Sequence, residues 1–92
     1  MITENYYYKN RVAVIATAKK HGVDWSVAVS MYDNEHGTPK DCDAARQQFY
    51  AFVHGKRFDA AGNITGFSKS IGGEDTFIDR IPTSEELAEL MA

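Results

Sequence analysis

The hydrophobic pattern of this sequence changes its period at Gly55, and this change limits what the chain can fold into. Before Gly55, apolar residues recur at the three- and four-residue spacing of one helix face. After Gly55, short apolar runs alternate with turn-forming residues, a pattern typical of short β-strands. We therefore expect an α+β, mainly helical fold with three N-terminal helices, a β-hairpin to which a third short strand can be added, and a short C-terminal helix.

The first two helices are predicted from apolar spacing and from the residues that end or cap them. Helix one runs from about Tyr7 to His21 and stops at Gly22. Helix two is capped by Asp24 and is broken by the segment 34–37. The apolar face of helix one is predicted to comprise Tyr8, Val12, Ile15 and Ala16. The apolar face of helix two is predicted to comprise Trp25, Ala28, Val29 and Tyr32.

The third helix has the strongest local start signal. Thr38 is predicted as its N-cap, Pro39 as its first helical residue and Asp41 as the carboxylate of a capping-box-like pattern. Gly55 is placed to end it. Its apolar face is predicted to comprise Cys42, Ala45, Phe49, Phe52 and Val53.

The segment after Gly55 predicts a hairpin and a final helix. Residues 56–67 are expected to form two short strands around a turn that contains Asp59 and Gly62. Residues 68–75 suggest a loop or a weak third strand, and 76–81 another short strand. Pro82 and the run from Thr83 to Glu86 predict a capped final helix with Leu87, Leu90 and Met91 on its apolar side.

Length and composition indicate one small domain over residues 1–92, with cytoplasmic localisation. No apolar run approaches the roughly 20 residues of a membrane span, so no membrane partner is expected. The N-terminus lacks the layout of a secretory signal. Cys42 is the only cysteine, so an intrachain disulfide is excluded and a reducing compartment is favoured.

The residues that could carry chemistry are scattered. The three histidines lie far apart, and Cys42 stands between two aspartates that oppose a thiolate. The run from Asp33 to His36 gathers two carboxylates and an imidazole, but a predicted turn between helices explains it. Gly72 and Gly73 are too few for a phosphate-binding loop. We therefore expect no enzyme activity, no metal site and no cofactor.

The charges are unevenly distributed along a chain with 10 basic and 13 acidic residues and a net charge of -3. The N-terminal part is basic, whereas the C-terminal part is acidic. Both ends would be explained by solvated helix faces, or by charges that neutralise each other in the fold. Alternatively, the acids form a protein-binding patch that meets a basic groove. That patch is predicted to comprise Glu74, Asp75, Asp79, Glu85, Glu86 and Glu89.

The function that these features favour is a small non-catalytic regulator or inhibitor that binds a larger protein or protein complex. Tyr6 and Tyr7 are the predicted aromatic contacts, because three adjacent tyrosines on a helix point in different directions and tyrosine is enriched at energetic anchor points. By analogy, short chains of this kind include bacteriophage regulators of host machinery and of host defence. The sequence leaves the oligomeric state undetermined.

The alternative is a winged-helix-like DNA-binding regulator, since three helices followed by a hairpin reproduce the order of that motif. The third helix would then enter the groove and the hairpin would be the wing. Nucleic acid is the second choice of partner because the net charge is negative, and because Asp41 and Asp43 lie where phosphates would approach. The predicted DNA contacts are Lys40, Arg46, Gln47, Tyr50, Lys56 and Arg57.

Overall fold

The computed structural model describes residues 2–92 and confirms the mainly helical α+β prediction. Four helices come first, a three-stranded antiparallel sheet follows, and a helix ends the chain. A one-turn 3-10 helix, Ile2–Glu4, precedes them. The elements are α1 (Tyr6–Lys9), α2 (Arg11–His21), α3 (Trp25–His36), α4 (Cys42–Val53), β1 (Lys56–Phe58), β2 (Ile64–Ile71), β3 (Glu74–Ile78) and α5 (Ser84–Met91).

The single helix predicted from Tyr7 to His21 is wrong, because the chain breaks at Asn10. The Asn10 side-chain amide donates to the Tyr6 carbonyl at 2.8 Å and competes with the regular helical bonds. The predicted apolar face is also wrong in part, since Val12 and Ala16 are exposed, whereas Tyr7, Val14 and Ile15, which recur at helical spacing, are buried.

The predicted cap of the second helix is confirmed. The Asp24 carboxylate accepts the backbone N–H of Val27 at 3.0 Å, and α3 starts at the next residue, Trp25. The predicted break at 34–37 comes too early, since α3 continues through His36 and ends at Gly37. The residues 33–36 therefore form the last turn of a helix and not an interhelical loop.

The predicted start of the third helix is also wrong. The helix α4 begins at Cys42, and Asp41 is its N-cap without a side-chain capping bond. Thr38 and Pro39 lie in an irregular segment before it. An N-cap contributes only about 1 kcal/mol, so a local capping signal does not by itself fix where a helix starts. Phe49, Phe52 and Val53 on that face are buried as predicted.

The sheet is larger than the sequence predicts. The strand β2 pairs with β1 on one side and with β3 on the other, giving the order β1-β2-β3. β2 runs on to Ile71, through residues expected as loop or weak strand, and β3 starts two residues before the predicted 76–81 strand. Gly72 and Gly73 make the connecting turn, with φ of 62° and 85°. Two successive positive φ angles suit the twist of a tight hairpin and favour glycine.

The final helix begins as predicted. Thr83 accepts the backbone N–H of Glu86 at 3.3 Å, and the Glu86 carboxylate accepts the N–H of Thr83 at 3.0 Å. These reciprocal bonds are the capping box that the sequence indicates. Leu90 and Met91 pack against the core while remaining half-buried, and Leu87 is exposed.

One hydrophobic core joins the helices to the base of the sheet. Tyr7 from α1, Phe49 from α4 and Phe67 from β2 are among its most buried side chains. Trp25 connects the two parts, because its ring meets Phe49 and Phe58 edge-on. The core ends at this level of the sheet, since every residue from 68 to 77 is exposed.

Within residues 2–92, no helix combines the length and the apolar character needed to cross a bilayer.

Candidate protein-binding surface

The β2–β3 hairpin extends beyond the hydrophobic core as an arm, defined here as residues 68–77. Its strands are paired in register from Ser68 with Phe77 to Ile71 with Glu74. The molecule is elongated, at 42 × 26 × 22 Å. Main-chain pairing holds the arm together, because every one of its side chains is exposed. Since burial contributes so little to its formation, the arm presents almost its whole surface for contact.

An aromatic ring lies on the open face of the sheet where the arm joins it. Phe77 lies across Gly66, and a Cβ atom at Gly66 would be only 2.6 Å from Phe77 Cζ. The Arg57 guanidinium lies 5.0 Å from the centre of the Phe77 ring, within the range of a cation–π contact. The missing side chain at Gly66 thus allows Phe77 to lie flat. With 44% of its surface exposed, Phe77 remains available to a partner.

Three of the predicted acidic residues lie on β3 or just after it. Glu74 and Asp75 stand at the tip of the arm, and both are exposed. Asp79 follows the strand and accepts a hydrogen bond from the Arg57 guanidinium at 3.0 Å. Both side chains of this ion pair are well exposed, so it contributes little to stability.

The other three predicted acidic residues lie on α5, where only two are free for outside contacts. Glu85 and Glu89 are exposed. Glu86 is engaged, since Arg80 donates to its carboxylate oxygens at 2.7 and 3.1 Å. The hydrogen bond from Arg80 and the backbone N–H of Thr83 lower the pKa of Glu86 from 4.5 to about 2. Glu86 therefore ties the start of α5 to the preceding segment, and its carboxylate also lies 3.8 Å from the Lys69 ammonium of β2.

The two predicted tyrosine contacts have different environments. Tyr6 is half-buried, and its ring meets those of Tyr7 and Tyr32 edge-on at 5.2 and 5.8 Å. Tyr7 has no exposed surface at all and belongs to the core. The turn at Asn5, which caps α1 through the backbone N–H of Tyr7 at 2.9 Å, aims the Tyr7 side chain inward. In this structure Tyr7 cannot contact a partner, and Tyr6 can do so only in part.

A buried polar cluster explains the position of Tyr7 and of Arg46. The Tyr7 hydroxyl donates to Asp33 Oδ2 at 2.9 Å, and Arg46 donates to the same oxygen at 2.6 Å. Burial raises the pKa of Tyr7, and the hydrogen bond to Asp33 raises the pKa of Arg46. Within residues 2–92, Asp33 Oδ1 and Arg46 Nε are buried without a hydrogen-bond partner. The cluster joins α1, α3 and α4.

The residues predicted to contact DNA do not form a basic surface. Arg46 is engaged with Asp33, and Lys56 folds back onto α4, where it donates to the Phe52 carbonyl and lies 4.5 Å from the Phe52 ring centre. Burial lowers the pKa of Lys56. Arg57 is the cation that contacts Phe77 and Asp79. The remaining residues of the set are exposed Lys40 and Gln47, and half-buried Tyr50.

The side chains that the sequence offers as catalytic or metal-ligating candidates make structural contacts. Cys42 is half-buried, with its sulfur 3.7 Å from the Tyr7 hydroxyl. The His36 ring stacks on Tyr32 with a centroid distance of 4.3 Å, and Asp33 is held by Arg46. Within residues 2–92, no three histidine, cysteine or acidic side chains converge as metal ligands would.

Ile71 and Phe77, the exposed apolar residues of the arm, are not among the contact residues predicted from the sequence. One signal for their exposure was present in the sequence. In a strand, residues two positions apart share a face. Those positions are Lys69 and Gly73 for Ile71, and Asp75 and Asp79 for Phe77, so neither side chain has an apolar neighbour on its own face of the strand. Gly66 also carried a signal, because an isolated glycine in a strand often marks a close approach by another group.

Comparison with known proteins adds no assignment: the chain matches no protein-family model, no curated protein and no solved structure.

Proposed function

We propose that this protein is a small, non-catalytic regulator or inhibitor that binds a larger protein through its arm. The observation that carries the proposal is the arm itself, a hairpin in which every side chain from 68 to 77 is exposed. A two-stranded hairpin is only marginally stable alone. Two large apolar side chains face solvent, Ile71 on one face of the hairpin and Phe77 on the other. A partner that covers either face would bury apolar area that is exposed in the free protein.

The charge of the arm indicates the character of the partner surface. Glu74 and Asp75 have no cation bound within residues 2–92, and Asp79 has only an exposed ion pair. A basic surface would complement these acids, steer the encounter and accelerate association. The proposed place of action is the cytoplasm. The proposed target is host machinery of the kind that bacteriophage regulators bind.

The placement of the candidate groups supports binding over catalysis or DNA recognition. Asp33, Arg46 and Tyr7 form a buried cluster that ties helices together, which is a structural role. Arg46 and Lys56 make contacts within the protein. The described face of α4 therefore lacks the row of free cations that bind DNA phosphates. We therefore favour a protein partner.

The test is a pull-down from a bacterial lysate with the tagged 92-residue chain, with and without nuclease, followed by mass spectrometry. The arm variant carries Glu74→Lys and Asp75→Lys, and the control carries the equal charge change Glu35→Lys and Asp43→Lys at exposed positions of α3 and α4. We expect one stoichiometric protein that survives nuclease, is lost with the arm variant and is retained by the control. Nuclease-sensitive recovery of nucleic acid would favour the DNA-binding alternative. Equal loss with both variants would show that the arm is not the specific contact.

A further inference from the structure

The outer edge of β3 is an open strand edge. In the sheet order β1-β2-β3, this strand pairs only with β2, and its five residues have no other strand beside them within residues 2–92. An open edge presents unpaired backbone N–H and C=O groups that can pair with another extended chain. The backbone chemistry for adding a fourth strand is therefore in place.

The side chains along this edge have a definite spacing. Asp75 and Phe77 alternate on β3 and therefore lie on the face of the sheet that also carries Arg57 and Gly66. Asp79 follows the strand and reaches the same face, because its carboxylate pairs with Arg57. Positions four residues apart in an extended chain are separated by about 13 Å. An exposed aromatic ring stands midway between two acidic side chains.

The acidic residues decide which kind of strand fits best. Pairing of two copies through β3 would bring the acids of both copies to one edge, where like charges repel. A basic strand would instead place cations beside Asp75 and Asp79. The exposed pair between Arg57 and Asp79 can be exchanged for such a cation at little cost, because both side chains are already solvated.

We propose that β3 accepts an extended basic segment of the partner protein as a fourth strand. The segment has two basic residues four positions apart, beside Asp75 and Asp79, and an apolar residue midway beside Phe77. Main-chain hydrogen bonds supply affinity, and the alternating side chains supply specificity. This inference rests on the proposed protein-binding function and names the chemistry of the partner.

The test uses a synthetic peptide, Gly-Ser-Arg-Thr-Val-Thr-Arg-Ser-Gly, added to the isotope-labelled full chain and followed by NMR. Amide shifts should be confined to the edge of the sheet around β3. A peptide of the same composition with adjacent arginines, Gly-Ser-Arg-Arg-Val-Thr-Thr-Ser-Gly, should bind about tenfold more weakly. A peptide with glutamates in place of both arginines should also bind about tenfold more weakly.

Two matched variants locate the contact. Asp75→Asn should weaken binding of the spaced peptide by about tenfold, whereas Asp43→Asn, an equal charge change at an exposed position of α4, should leave it unchanged. Phe77→Ser should weaken binding while the shifts of the core amides stay in place.

Four results would overturn the strand-addition proposal. These are equal binding of all three peptides, shifts centred away from β3, no shifts at millimolar peptide, and β3 shifts that depend on protein concentration alone. The last would identify a second copy as the occupant. If the arm variant loses its partner in the pull-down while the peptide leaves β3 unperturbed, the proposed function stands and only the strand-addition proposal fails.

Discussion

The helical core and the arm contain similar residue types in opposite environments. Phe49 in α4 is 1% exposed and lies against Tyr7 and Trp25, whereas Phe77 in β3 is 44% exposed and lies over Gly66. One Arg–Asp pair lies in the core, where the aspartate is buried, and another lies beside the base of the arm, where both side chains are exposed. The difference indicates that one region supplies stability and the other offers contact.

Truncation of the two phenylalanines should give the largest difference between core and arm in the loss of unfolding free energy. Phe49→Ala removes a buried ring and should lower the free energy of unfolding by about 3–5 kcal/mol. Phe77→Ala should cost less than about 1 kcal/mol, because much of that ring already contacts water. Urea denaturation of both variants measures the difference. Similar losses would mean that the arm is part of the stabilising core.

Breaking the two Arg–Asp pairs should give the next largest contrast. Arg46→Met leaves the Asp33 carboxylate buried without its cation and should cost about 3 kcal/mol. Arg57→Met breaks the exposed pair with Asp79 and should cost about 0–1 kcal/mol. Thermal and urea unfolding of both variants provide the measurement. An equally large effect at Arg57 would contradict the structural role assigned to the core pair.

Removal of the helix caps should have a smaller effect that differs between the regions. Asp24→Ala and Thr83→Ala each remove an N-cap and should each cost about 1 kcal/mol of local helix stability. The loss at Asp24 should appear in global unfolding, since α3 contributes Ala28 and Val29 to the core. The loss at Thr83 should appear as fraying of α5, because none of Ser84–Met91 is fully buried. Amide exchange at single residues separates the two outcomes.

Acid should affect the attachment of α5 through Glu86. A lowered pKa in the folded state means that the ionised carboxylate stabilises the fold at neutral pH. That stabilisation should be lost as the pH falls from about 4.5 towards 2. The carboxyl chemical shift of Glu86 should titrate near the lower value, and Arg80→Gln should move the midpoint up. A wild-type midpoint near 4.5 would show that Arg80 does not hold the carboxylate in solution.

Features that depend on neighbouring residues in the chain could be predicted from the sequence. The caps at Asp24 and Thr83 were predicted correctly because the side chain and the N–H that it accepts lie three residues apart. The apolar face of α4 was also predicted, since Phe49, Phe52 and Val53 follow the helical period.

Features that depend on distant contacts could not be predicted from the sequence. The break at Asn10 could not be predicted, because an asparagine residue alone does not indicate where a helix ends. The helix α4 starts at Cys42 and not at the local signal of Thr38, because an N-cap contributes too little free energy to fix a helix start alone. The arm was predicted only in part, because pairing between main chains forms its strands without an apolar pattern.

Amide hydrogen exchange of the free, full-length protein tests the contrast between core and arm most directly. We predict that core amides, such as those of Phe49 and Val53, exchange only through global unfolding, and that the outward-facing amides of β3 exchange rapidly at every protein concentration. Core-like protection along both edges of β3 would contradict the account, because it would show that the edge assigned to a partner is already covered.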